Sequence, residues 1–66
     1  MNVTINGHIV SLEERTSLAT LLAMREIKPS GIATAINGRV VAAALRETTT
    51  LKDGDKITVI KAFYGG

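Results

Sequence analysis

Cysteine and tryptophan are absent from this sequence, proline occurs once, at Pro29, and Phe63 and Tyr64 are the two aromatic residues. Without cysteine there is no disulfide, no thiolate metal site and no cysteine nucleophile. Long apolar runs are also missing. The longest, Val40 to Leu45, has six residues, against the ~18 that a membrane span needs. Charge of one sign is scarce as well: the net charge is +2, from 8 basic and 6 acidic residues, and the bases are scattered from Arg15 to Lys61. Readers of nucleic acid carry a basic stripe, often with stacking aromatics, so neither nucleic acid nor a membrane is an expected partner. The opening MNVTINGHIV lacks a basic stretch followed by a continuous apolar one. No signal peptide is therefore expected, and the expected location is cytoplasmic.

What is present suits one small domain. A chain of 66 residues buries only about 60% of its unfolded surface. Its 45% apolar and 21% charged residues are still enough for an ordinary core, unlike the composition of a disordered chain.

Met1, Val3 and Ile5 alternate with Asn2, Thr4 and Asn6, the period of a half-buried strand. Asn6-Gly7 follows, a strong hairpin signal because both central residues of a type I′ turn need positive φ. The return strand is expected over His8 to Leu12, broken by Glu13-Glu14-Arg15. Thr16 or Ser17 can cap a helix, with an apolar stripe at Leu18, Leu21, Leu22 and Met24. That helix is expected over Ser17 to Glu26, ended by Lys28 because residues before proline avoid the α region. Ile32 to Ile36 reads as a strand, Asn37-Gly38 as a second hairpin turn, and Arg39-Val40-Val41 as its return. Ala42 to Glu47 suits a turn or two of helix, which Thr48-Thr49-Thr50 discourages from extending. Lys52 to Asp55 is a turn before a last strand with Ile57 and Val59 on one face and Thr58 and Ile60 on the other. The expected class is α+β, a mixed four- to five-stranded sheet wrapped on one main helix.

Few residues point to catalysis. His8, the single histidine, stands beside a tight turn and reads as a strand-edge residue. Glu13-Glu14 and the pair Asp53 and Asp55 read as loop charges. No glycine-rich phosphate loop or metal-spaced cluster occurs, and a domain this small offers little volume for a deep cleft. Neither a bound cofactor nor a metal is expected, and the chain is not expected to be an enzyme. Phe63 and Ile60 are candidates for contact with a partner protein.

The sequence closes on KAFYGG. Glycine costs the most backbone entropy to order, so Gly65-Gly66 taken alone reads first as a frayed end or an expression scar, and only second as a working backbone. Read as the latter, it presents an α-carboxylate, ionised at neutral pH, on a chain slim enough to thread a narrow channel. Residues 1–63 are then the folded domain. Tyr64, Gly65 and Gly66 form a tail expected to be flexible.

The order of elements, the central AINGRVV, the late LKDGDKITVI and the terminal Gly-Gly together resemble the small sulfur carriers of the ubiquitin-like β-grasp superfamily. The resemblance is strongest to the ThiS family of thiamine biosynthesis and runs along the whole chain. It implies that an E1-like adenylyltransferase uses ATP and Mg to adenylate the carboxylate of Gly66. Sulfur from a cysteine desulfurase or related donor then gives a thiocarboxylate, which passes its sulfur to thiazole synthase. It also implies that Gly65 and Tyr64 thread into the partner. Many relatives carry a proline and a tryptophan where this chain has Val41-Ala42-Ala43-Ala44-Leu45. A MoaD-like carrier for molybdopterin and a ubiquitin-like protein modifier share the fold and the Gly-Gly end, and both stay open as alternatives.

Overall fold

The computed structural model describes residues 1–61. Strand β1 (Asn2–Ile5) and strand β2 (His8–Ser11) form an antiparallel hairpin with Ile5 opposite His8. Its turn is the expected one: Asn6 and Gly7 have φ of 48° and 83°, the left-handed pair that a type I′ turn requires. Helix α1 spans Leu18–Met24. Strands β3 (Ile32–Ile36) and β4 (Arg39–Val41) form the second hairpin, with Asn37 and Gly38 at φ of 52° and 82°. A 3₁₀ turn at Ala43–Leu45 and strand β5 (Lys56–Lys61) complete the described elements.

The sheet has five strands in the order β2-β1-β5-β3-β4. β5 therefore sits at its centre, parallel to β1 and antiparallel to β3. Val3, Ile5 and Ile57 point to one face, where they meet Leu18, Leu21 and Leu22 of α1 together with Leu12 and Leu51. All eight are at most 5% exposed. The expected apolar helical stripe is thus correct except at Met24, which is 58% exposed.

Seven residues are too few for a helix to be stable alone, and the rest of the chain supplies its missing partners. The first amides of a helix have no partner within it. Here the Leu18 N–H donates to the Thr49 carbonyl (2.9 Å), the Ala19 N–H to the Arg46 carbonyl (3.0 Å), and the Thr20 N–H to the Ser17 hydroxyl (3.1 Å). The C-terminus comes earlier than the expected Glu26, and proline is not the cause. The Ile27 N–H donates to the Leu22 carbonyl and the Glu26 N–H to the Ala23 carbonyl, with Glu26 at φ of 57°. This is a Schellman closure, with a glutamate in the position usually held by glycine.

Arg46 is 5% exposed and has no carboxylate partner among its hydrogen bonds. Its guanidinium donates to the Thr34 hydroxyl (3.1 Å) and to the carbonyls of Pro29 (2.8 Å) and Ile32 (2.9 Å). With its own carbonyl on Ala19, this one residue ties α1, the loop after it and β3 together. The sequence reading placed Arg46 in an alanine-rich turn and assigned it no role.

Two substitutions separate these effects in urea unfolding. Glu26→Gly relieves a left-handed backbone and is expected to raise stability by about 1 kcal/mol. Arg46→Met keeps the apolar bulk but leaves buried acceptors unpaired, and is expected to lose about 2–4 kcal/mol.

Candidate functional site

The working candidates of the sequence cluster at its end, so the geometry that matters is how β5 leads there. The Lys52–Asp55 turn anchors the start of the strand. Asp53 Oδ1 accepts from the Asn2 amide (2.7 Å), and Asp55 Oδ2 accepts from the Lys52 amide (2.8 Å). Asp55 therefore closes its own turn, and its backbone carbonyl receives the Thr4 N–H (3.0 Å). These acids serve the scaffold.

Further along, both Asn-Gly turns grip the same strand. Asn37 Oδ1 accepts from the Lys56 amide (2.9 Å), and Asn37 Nδ2 donates to Asp55 Oδ1 (3.0 Å). Asn6 Oδ1 accepts from the Val59 amide (2.8 Å), and Asn6 Nδ2 donates to the Val59 carbonyl (3.3 Å). The sequence marks these asparagines as hairpin residues and shows no further role. The structure adds a second structural role, because each also bonds to a strand distant in sequence.

Ile60 lies on the sheet face turned away from the helix and is 61% exposed. The register places Ala33 beside it, and Thr58, Ala35 and Val40 across the neighbouring row. Val40 is 82% exposed. Ile60, Ala33, Thr58, Ala35 and Val40 thus form a low apolar surface with no charged side chain among them. The sequence reading named Ile60 and missed the others. A signal was available: Ile9-Val10, Val40-Val41 and Val59-Ile60 are apolar doublets, and adjacent strand residues point to opposite faces. In each doublet one member packs toward the core and the other is exposed.

Phe63, Tyr64, Gly65 and Gly66 lie outside the described residues. His8 is exposed on the edge strand β2, and Glu13 and Glu14 are exposed in the following loop. Surface clefts of about 430 and 320 Å³ lie beside α1, one next to Lys61 and the other walled by Leu22, Ile27 and Arg46. Both are open to solvent along the surface. Neither brings His8 to a carboxylate. Among the described residues no group of three or more metal-ligating side chains is assembled.

The family model described as "ThiS family" matches residues 1–66. The chain belongs to the ThiS family. Its similarity to a crystal structure of a thiamine biosynthesis protein (ThiS) from Geobacter metallireducens has a TM-score of 0.83 at 29% identity, covering 100% of this chain and 99% of the other. An NMR solution structure of a thiamine biosynthesis protein from the same organism aligns with a TM-score of 0.76 at 28% identity, covering 100% and 88%. No match to a curated protein was found. The mixed five-stranded sheet with one helix is accordingly the ubiquitin-like β-grasp that the ThiS resemblance implied. No helix among the described residues is long and apolar enough to cross a membrane.

Exposure separates the two faces of β5 in a stability measurement. Ile60→Ser is expected to change the unfolding free energy by less than about 0.5 kcal/mol, as surface substitutions do. Ile57→Ala, at a fully buried position, is expected to lose about 2–5 kcal/mol. Comparable losses would mean that Ile60 is packed.

Proposed function

We propose that this chain is a sulfur carrier of thiamine biosynthesis and that Gly66 is its working group. The observation that carries the reading is the family match, which extends through residue 66. The central position of β5 supports it, because the strand that leads to the tail is paired on both sides.

The chemistry belongs to the terminal carboxylate. Its oxygen attacks the α-phosphate of ATP on an E1-like adenylyltransferase, and pyrophosphate leaves. A sulfur nucleophile, supplied through a cysteine desulfurase or related donor, displaces AMP to give the thiocarboxylate. Thiazole synthase then takes the sulfur. ATP and Mg are used by the activating enzyme, so the carrier is a co-substrate that is consumed and recharged. Residues 64–66 act as the threading tail, and the apolar face around Ile60, together with Phe63, docks the partner while Gly65 and Tyr64 enter its channel. The working compartment on this reading is the cytoplasm.

The test is ATP–pyrophosphate exchange with the cognate adenylyltransferase. Three extended residues reach roughly 10 Å, and misplacement by about 1 Å can cost about a hundredfold. One residue added after Gly66, or Gly65→Val, is expected to abolish exchange while the urea transition stays in place. Ile60→Asp is expected to raise the KM for the carrier. His8→Ala and Glu13→Gln are expected to exchange normally. Wild-type rates from the extended chain would overturn the role of Gly66. In cells, an intact mass with sulfur in place of one oxygen supports the carrier, whereas isopeptide-linked ladders would favour a protein modifier. Transfer of that sulfur to molybdopterin synthesis instead of thiazole would favour the MoaD-like alternative.

A further inference from the structure

We propose that Asn6 is a positioning residue for the tail: its side chain stands in for a missing β1 residue and fixes β5 at Val59. The functional half of this rests on the carrier reading above. The geometric half does not.

β1 ends at Ile5, which lies opposite Ile57. The parallel ladder between them continues through the Asn6 N–H, which donates to the Ile57 carbonyl (2.9 Å). The next rung would need a β1 carbonyl and amide facing Val59. The chain instead turns away at Asn6-Gly7. A side-chain amide carries the same donor and acceptor as a peptide group, and Asn6 aims it at the vacant rung. Its Oδ1 receives the Val59 N–H (2.8 Å), and its Nδ2 donates to the Val59 carbonyl (3.3 Å).

The turn alone does not call for asparagine, because aspartate or glycine serves a type I′ hairpin as well. Aspartate lacks the donor for the Val59 carbonyl, and glycine lacks both groups. Asparagine alone among the three meets the turn and both bonds. Nor is core stability the reason, since Asn6 is exposed and satisfies no deeply buried atom. What the two bonds add is location. On the β3 side, pairing runs on to Lys61; on the β1 side, Asn6 supplies the bond at Val59. Val59 is thus the last point at which β5 is held on both sides before it leads to the tail, and pairing with β3 alone carries it on to Lys61. Asn37 is a natural control. It has the same turn chemistry and the same style of side-chain grip, but at Lys56, the far end of β5.

The experiment compares Asn6→Gly with Asn37→Gly, both of which keep turns that accept positive φ. Amide hydrogen exchange is read on the free carrier, and kcat and KM are read separately by ATP–pyrophosphate exchange with the cognate adenylyltransferase. In Asn6→Gly the Val59 amide is expected to exchange about tenfold faster, the effect of one lost hydrogen bond, with Ile57 unchanged. The kcat is expected to fall by about tenfold or more, since reacting groups are sensitive to small misplacements, while the KM holds because the docking face is untouched. Asn37→Gly is expected to leave kcat unchanged. An unaltered Val59 amide in Asn6→Gly, or equal loss of kcat in both variants, overturns the proposal. If the wild-type chain supports no pyrophosphate exchange, the carrier reading falls and takes the functional half with it. The Val59 amide still decides whether Asn6 fixes the strand.

Discussion

The parallel pairing of β1 with β5 is the constraint on which the other pairings hang. It joins the first strand of the chain to the last described one, so the longest loop in the sequence must close before the two hairpins become one sheet. Such closure costs entropy that grows with loop length, though slowly. The offset comes from a dense set of bonds at the junction. Asp53 and Gly54 bond to both backbone groups of Asn2, Asp55 receives Thr4, and the Asn6 and Asn37 side chains take hold of β5 directly. Once β5 is seated, β3 and β4 extend the sheet on its far side, and Ile57 becomes the fully buried centre against which α1 packs.

That ordering explains what could be read from the residues and what could not. Each hairpin is a local event. Asn-Gly beside alternating apolar residues specifies the turn, the direction and the face, and all three were legible. The apolar stripe at Leu18, Leu21 and Leu22 was legible for the same reason. The helix end was not, because the Schellman closure places a glutamate where glycine is the usual signal, and the nearby proline offered a plausible but wrong stop. Arg46 was hidden more deeply. An arginine after Ala42-Ala43-Ala44-Leu45 reads as a surface charge, and only the packing of α1, the Pro29 loop and β3 turns three neutral acceptors toward it. The second role of Asn6 and Asn37 likewise depends on which strand lies beside each turn, and strand order is not a local property.

The candidate site divides along the same line. Gly65 and Gly66 are read from the end of a motif alone and lie outside the described residues. Ile60 was legible from alternation, but its neighbours were not, since Ala33, Ala35 and Val40 join it only through the register of three strands. An apolar surface of this kind is a liability in a free protein unless it meets a partner. The face is kept shallow by Ala33, Ala35 and Thr58, so it is apolar without being bulky.

On the carrier reading, this division assigns specificity as well. A glycine pair offers a partner only backbone and a carboxylate, and the same end serves sulfur carriers and protein modifiers alike. Discrimination is a difference of affinities, and two residues without side chains contribute little difference. It must therefore come from the folded surface that meets the enzyme before the tail reacts. The face around Ile60 sits on β5 itself, so docking there and delivering the carboxylate are mechanically one event, transmitted along a strand held from both sides. The exposed stretch Ala42 to Leu45 lies at the rim that follows β4 and leaves β5 untouched. Partner choice can change at that rim while the chemistry at Gly66 stays the same.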